Sequence, residues 1–425
     1  MKPREGGAGP RIPPLPPGLL LRGGDAAWEA VLRELPDPAA LPAWETLRYV
    51  RLWLAAEPAR RAGLFRGGSQ ARRELELIHQ TLDPDLSGPL AVLSALLADG
   101  RAEPGEAVWA CLCVADWALL RGARETGGLF AETAALAAPE KPGLAFMVGR
   151  MARSRGDAFA AERWLKRAAA VAWRVGEWEV YARSVNSLGN LRLAQGAYPD
   201  ALRLNNKALR AVRRNRIGEL EGEVLHDLFI VSFLTNDFKR AEAFCHAASA
   251  FYTGGHPRLP QFAHDVAYFW IEQGYFARAL TVVQQLLSHF HVPHERLKVL
   301  ASTARAAAAC GRRQLFERLW IEANSLIPEL DDTSTLAAAL VELAIGASSL
   351  GDWEHAAAAA TQAHGAAQER GEADVQFRAD AVLSSVRRHR KAEVESRSGG
   401  RFTNPGDDLA SSIVRSLQSV GAESC

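Results

Sequence analysis

Tyr181-Ala-Arg-Ser-Val-Asn-Ser-Leu-Gly-Asn-Leu-Arg-Leu-Ala-Gln-Gly-Ala-Tyr-Pro-Asp-Ala-Leu202, continuing to Arg214, decides how the chain folds. Two helical segments are separated by Gly196, and an aromatic, Tyr198, follows two residues later. Gly189, Ala201 and Ala208 have almost no side chain, so antiparallel helices carrying them can approach closely. Gly196 supplies the positive φ that ends the first helix.

The pattern recurs. Turn residues fall at Gly156, Gly196, Asn236, Gly274, Gly311 and Gly351, at intervals of 40, 40, 38, 37 and 40. Five residues after the turn stand Ala161, Ala201, Ala241, Ala279 and Ala356, and seven further on Ala168, Ala208, Ala248 and Ala363, with Leu286 the exception. Tyr198, Phe238, Phe276 and Trp353 repeat the aromatic, whereas Ala158 and Arg313 depart from it. After Gly311 the alanine place is taken by Phe316, which predicts a kink or a looser contact there.

These residues resemble the tetratricopeptide repeat, in a lengthened form like that of bacterial peptide-sensing regulators and some motor-cargo adaptors. The resemblance covers roughly residues 140 to 391, and the intervals exceed its usual unit of about 34 residues. It implies an all-α, right-handed α-solenoid of antiparallel helix pairs, a TPR-like superhelix. Glu106–Leu120 with Gly122 and Leu129–Ala138 read as one more degenerate unit. The domain reading is a proline-rich arm over 1–24, an irregular helical region over 25–138, an array of about six units over 139–391, and a mobile tail with a short amphipathic segment over 392–425.

Upstream, Trp44, Leu47, Val50, Arg51 and Leu54 follow helical spacing, and Ala71–Leu82 and Pro89–Ala98 read as short helices separated by Asp-Pro and Gly-Pro breaks. These predict an N-terminal helical cap, because a terminal repeat exposes an apolar face that must be covered. At the other end Ser396–Asp408 is expected to be mobile, and Leu409, Ile413, Leu417 and Val420 have helical spacing over a marginal length.

Composition narrows function. A chain of 425 residues exceeds what one core serves, and 50 basic against 49 acidic residues, net +1, attract no polyanion in particular. The most apolar stretch, Val108–Leu120, is interrupted by Asp116 and is shorter than the roughly 20 residues a membrane helix needs. Pro10, Pro13, Pro14, Pro16 and Pro17 occupy the place a secretory signal would need as an apolar helix. Five cysteines, at 111, 113, 245, 310 and 425, suggest neither a disulfide framework nor a zinc or redox motif, so a cytoplasmic protein is expected. An excess of Arg over Lys, 43 to 7, with abundant Ala, points by composition to a GC-rich bacterial genome. No strand pattern, glycine-rich phosphate loop, nucleophile elbow or zincin motif is found, so the expectation is a non-enzyme without cofactor or metal.

The resemblance implies a groove lined by first helices that receives a peptide or a partner helix. Aligned on the turn residues, its lining is Arg183, Asn186 and Asn190, then His226 and Ile230, then His264 and Tyr268. Asn suits this role because its amide both donates to and accepts from a peptide backbone. His226-Asp227 and His264-Asp265 share one phase, either as a pair for an acidic ligand, as metal ligands, or as packing histidines held by acids. His289, His291 and His294 read as the end of a second helix rather than a metal site. Arg210, Arg213, Arg214 and Arg216, and Arg387, Arg388, Arg390 and Lys391, read as solvated helix ends, and nucleic acid is not the expected partner. Arg11, Pro14 and Pro17 match a polyproline ligand, but a stiff arm is the simpler reading. The expected function is a non-catalytic scaffold or regulatory adaptor for a protein or peptide. The alternatives are a peptide-responsive transcription regulator, with Leu75–Leu97 strained into a helix-turn-helix, or a metal-dependent protein using the histidines.

Overall fold

A computed structural model describes residues 10–15, 24–57, 59–61, 83–99, 104–330, 334–388 and 406–422. The expected helix over 71–82, Pro17, Arg390, Lys391 and the stretch 396–405 lie outside the described residues. Among those described, every regular element is a helix, and the chain divides into two compact units, 1–220 and 221–425.

In the first unit, α2 (Ala40–Ala55) packs against α1 (Gly24–Glu34) and α3 (Pro84–Asp99), and of the pair α4 (Pro104–Leu120) and α5 (Arg124–Ala137) the first packs on α3 and the second on α1 and α2. Val31, Leu47, Leu86 and Leu93 share one buried core with Val114 and Phe130. The Gly88-Pro89 break expected inside this region does not occur, and α3 runs continuously through Pro89. Pro89 is the sixth residue of α3, so it gives up one helical hydrogen bond, to the Asp85 carbonyl, without ending the helix. Arg51, predicted to be on a helical face, is buried and ties α2 to α5 by hydrogen bonds to Thr133 Oγ1, the Leu129 carbonyl and Glu132.

The repeat pairs follow. In the first unit they are α6 (Pro142–Ser154) with α7 (Ala158–Val175), and α8 (Trp178–Ala194) with α9 (Tyr198–Asn215). In the second they are α10 (Gly218–Leu234) with α11 (Phe238–Ser249), α12 (Leu259–Glu272) with α13 (Phe276–Leu286), α14 (Pro293–Ala309) with α15 (Arg313–Leu326), and α16 (Ser334–Ser349) with α17 (Trp353–Arg370), closed by α18 (Ala373–Arg387). All six turn residues read from the sequence have φ between +60° and +81°, and Gly122, between α4 and α5, has +79°. Where Asp follows the turn residue, at Asp157, Asp237 and Asp352, its carboxylate caps the next helix by accepting an N–H three residues on. Ala161, Ala168, Ala201, Ala208, Ala241, Ala248, Ala279, Ala356 and Ala363 are all fully buried. The fold is thus an all-α array of antiparallel helix pairs, the α-solenoid class.

Two expectations change. Phe316 does not loosen the fifth pair: it is buried, and a Cβ on Gly346 would lie 2.9 Å from its ring, so glycine on the neighbouring helix makes the room the phenyl takes. The tail is not mobile throughout, since α19 (Gly406–Ala422) packs on α11, α12 and α13 with Leu409, Ile413 and Leu417 buried. Burial of that apolar face against the array supplies what a short isolated helix lacks.

Candidate functional site

First helices of successive pairs lie side by side: α6 beside α8 in the first unit, and α12, α14, α16 and α18 in the second. The residues expected to line a groove fall on first helices, Arg183, Asn186 and Asn190 on α8, His226 and Ile230 on α10, and His264 and Tyr268 on α12.

In the first unit Arg183 is half-buried and paired with Glu179 at 3.0 Å. Asn190 is half-buried and Asn186 buried. In the second unit Ile230 and Tyr268 are half-buried, whereas His226 and His264 are buried. The two histidines are therefore packing groups. His226 Nε2 meets Asp265 Oδ2 at 3.1 Å, and the Tyr252 hydroxyl lies 3.4 Å from His226 Nδ1. His264 Nε2 lies 3.2 Å from Ser302 Oγ and its Nδ1 3.5 Å from Asp265 Oδ1. Asp265 receives Gln261 as well, with Lys298 at 3.6 Å. Burial alone would raise the Asp265 pKa, but the hydrogen bonds from His226 and His264 and the charge of Lys298 outweigh it and hold the carboxyl well below the usual range. Burial lowers the pKa of His264, which favours the neutral ring.

Ser302, His264 and Asp265 resemble a nucleophilic triad, but a buried one. A neutral His264 has one ring proton; donated from Nδ1 to Asp265, it leaves Nε2 an acceptor toward the Ser302 hydroxyl, which also lies 3.0 Å from the Lys298 carbonyl. Only 1% of His264 is exposed, and a substrate carbonyl has no approach to it.

A second cluster, missed by sequence reading, continues the strip. Glu342 on α16 accepts from Arg305 at 2.7 Å, Arg378 at 2.5 Å and the Tyr268 hydroxyl at 3.1 Å, and Arg305 also pairs with Glu272 at 2.6 Å. Burial pushes the Glu342 pKa up, but the two guanidinium charges override it and bring it down to about 2. Tyr268 is pushed up by burial and by the Glu342 charge. A signal was present: Arg305 follows Tyr268 by 37 residues and Glu342 follows Arg305 by 37, the repeat interval already found. The exposed parts of the strip are Lys298, about half exposed at 47%, Gln261, and the edges of Tyr268, Glu272 and Arg378.

Other predicted features take simpler places. His289 and His291 lie in the link after α13 and His294 begins α14. Arg210, Arg213 and Arg214 end α9, with Arg216 just beyond in the left-handed region, and Arg387 ends α18. Among the described residues no group of His, Cys, Asp and Glu is arranged to hold a metal ion, and no helix is long and apolar enough to cross a membrane.

No family model and no curated protein matches the chain. Similar solved structures include PilF of Pseudomonas aeruginosa, 16% identical, covering 53% of this chain and 94% of its own with a TM-score of 0.42. A Rap conjugation gene regulator in complex with a Phr peptide is 11% identical, covering 85% and 99% with a TM-score of 0.46. A signal-transduction ATPase with a tetratricopeptide repeat sensor from Pyrococcus horikoshii is 12% identical, covering 84% and 70% with a TM-score of 0.48. The chain is similar to tetratricopeptide-repeat proteins in its helical repeat.

Proposed function

We propose that this protein is a non-catalytic, cytoplasmic scaffold or regulatory adaptor whose first helices hold a peptide or a partner helix. The observation that supports this reading is the polar strip of the second unit. His264, Asp265, Ser302, Arg305, Glu342 and Arg378 come from four successive first helices and fix one another, while Lys298, Gln261 and Tyr268 stay accessible at their edge. Charged groups that satisfy one another make a rigid surface whose exposed donors and acceptors lose little entropy on meeting a peptide backbone. In the first unit, Arg183 and Asn190 present the same chemistry from one first helix.

The test is capture of a partner from native lysate, quantified by mass spectrometry, with Lys298→Glu set beside Arg203→Ala/Arg210→Ala on the exposed side of α9. Reversal at Lys298 should reduce capture at least about tenfold by opposing charge at a half-exposed site; because it also sets a second carboxylate beside Asp265, thermal melting of the variant is measured alongside. The α9 variant should capture as the unaltered chain does. Loss only in the α9 variant would overturn the first-helix assignment.

A further inference from the structure

Among the described residues three arginines are buried: Arg51, Arg167 and Arg305. Two are neutralised, Arg51 by Glu132 at 2.8 Å and Arg305 by Glu272 and Glu342 at 2.6 and 2.7 Å. Arg167, on α7 and 9% exposed, has no carboxylate among the described residues. Its Nη1 donates to the Pro13 carbonyl at 2.8 Å and its Nη2 to the Pro139 carbonyl at 3.2 Å, while its buried Nε has no partner. Removing a guanidinium from water without a counter-charge is costly, and neutral carbonyls return less than a carboxylate does. Burial accordingly lowers the pKa of Arg167.

The group opposite is also unusual. Pro13 belongs to the arm, residues 10–15, Pro-Arg-Ile-Pro-Pro-Leu, which lies in no regular element. Ile12 and Pro13 are half-buried and Pro10, Arg11, Pro14 and Leu15 exposed, so the contact centres on the dipeptide whose carbonyl meets Arg167. Proline fixes φ and cannot donate, so such a segment docks by shape and by its carbonyls.

We propose that Arg167 is the anion-binding element of a carboxylate site, one that takes the C-terminal carboxylate of an extended, proline-containing peptide and that the chain's own Pro13 carbonyl fills in its absence. A terminal carboxylate in the place of that carbonyl puts a full negative charge against the buried arginine that, among the described residues, has none, and its second oxygen offers an acceptor to the remaining donors. The arm then acts as an intramolecular competitor. This site is separate from the first-helix strip and does not depend on it.

The probe is the tetrapeptide Pro-Arg-Ile-Pro, identical to residues 10–13, prepared as the free acid and as the carboxamide and titrated calorimetrically into the full chain. The free acid should bind at least about tenfold more tightly than the amide, the gain of a charge-assisted over a neutral hydrogen bond. The preference should shrink between low and high salt and disappear in Arg167→Gln. The acid-to-amide comparison on the unaltered chain needs no variant, and thermal melting of Arg167→Gln and Arg167→Lys reports whether the fold survives. Equal affinity of acid and amide, no binding of either at millimolar concentration, or a preference that persists in a folded Arg167→Gln chain would each overturn the proposal.

Discussion

Gly189 sits inside α8 with the Asn205 side chain of α9 directly over it. A Cβ built there would lie 1.7 Å from Asn205 Oδ1 and 2.7 Å from Cγ, with the Ala201 carbonyl at 3.4 Å. Asn205 is fully buried, and neither of its amide atoms has a hydrogen-bond partner among the described residues. Gly189→Ala in isolation should gain about 1 kcal/mol, because glycine is a poor helix former. The overlap with Asn205 opposes this, and forcing extra atoms into a packed interior costs about 1 to 3 kcal/mol. Given the depth of the overlap, the net effect should be a loss of about 1 to 2 kcal/mol. Asn205→Ala should be close to neutral, since it removes a desolvated, unpaired amide while leaving a small void. In that background the obstruction is gone and Gly189→Ala should become stabilising by about 1 kcal/mol. The cycle therefore has a coupling of about 2 to 3 kcal/mol and a reversal of sign. Urea unfolding of the four full-length proteins, followed by helical circular dichroism, measures it. If Gly189→Ala is neutral or stabilising in both backgrounds, close approach of α8 and α9 is not what glycine provides at this position.

Glu342→Gln should destabilise the protein by about 3 kcal/mol in the same assay, because it leaves Arg305 and Arg378 facing each other around a neutral group. Acid should weaken the second unit in two stages, both from depressed pKa values in the folded state. His264 stays neutral when buried, so its contribution is complete above its unfolded value near 6.5 and is lost as pH falls below it. Glu342 and Asp265 follow below their unfolded values, near 4.5 and 3.8, as the unfolded chain takes up protons that the ion pairs resist. Urea midpoints across pH 8 to 3 should therefore fall steadily, and His264→Asn should flatten the part between about 7 and 5. A curve unchanged by that substitution would contradict the assignment.

The sequence by itself determined the elements whose causes are local. A positive-φ residue every 37 to 40 positions, a capping Asp after it at Asp157, Asp237 and Asp352, and alanines five and twelve residues on specify turn, helix start and close helix contact within a single repeat. Short-range chemistry of this kind can be read without knowing what lies opposite. The tertiary structure decided what depends on neighbours distant in the chain. Whether His264 is a surface ligand or a buried strut turns on Ser302, 38 residues away, and Glu342 becomes a hub only when Tyr268, Arg305 and Arg378 converge on it across four helices. Phe316 reads as a defect until Gly346 is seen to receive it. The Arg167 site is the extreme case, since its two halves stand 154 residues apart. Periodicity fixes which residues share a face, but the charge balance of a buried group is set by everything packed against it, and that sum exists only in the folded chain.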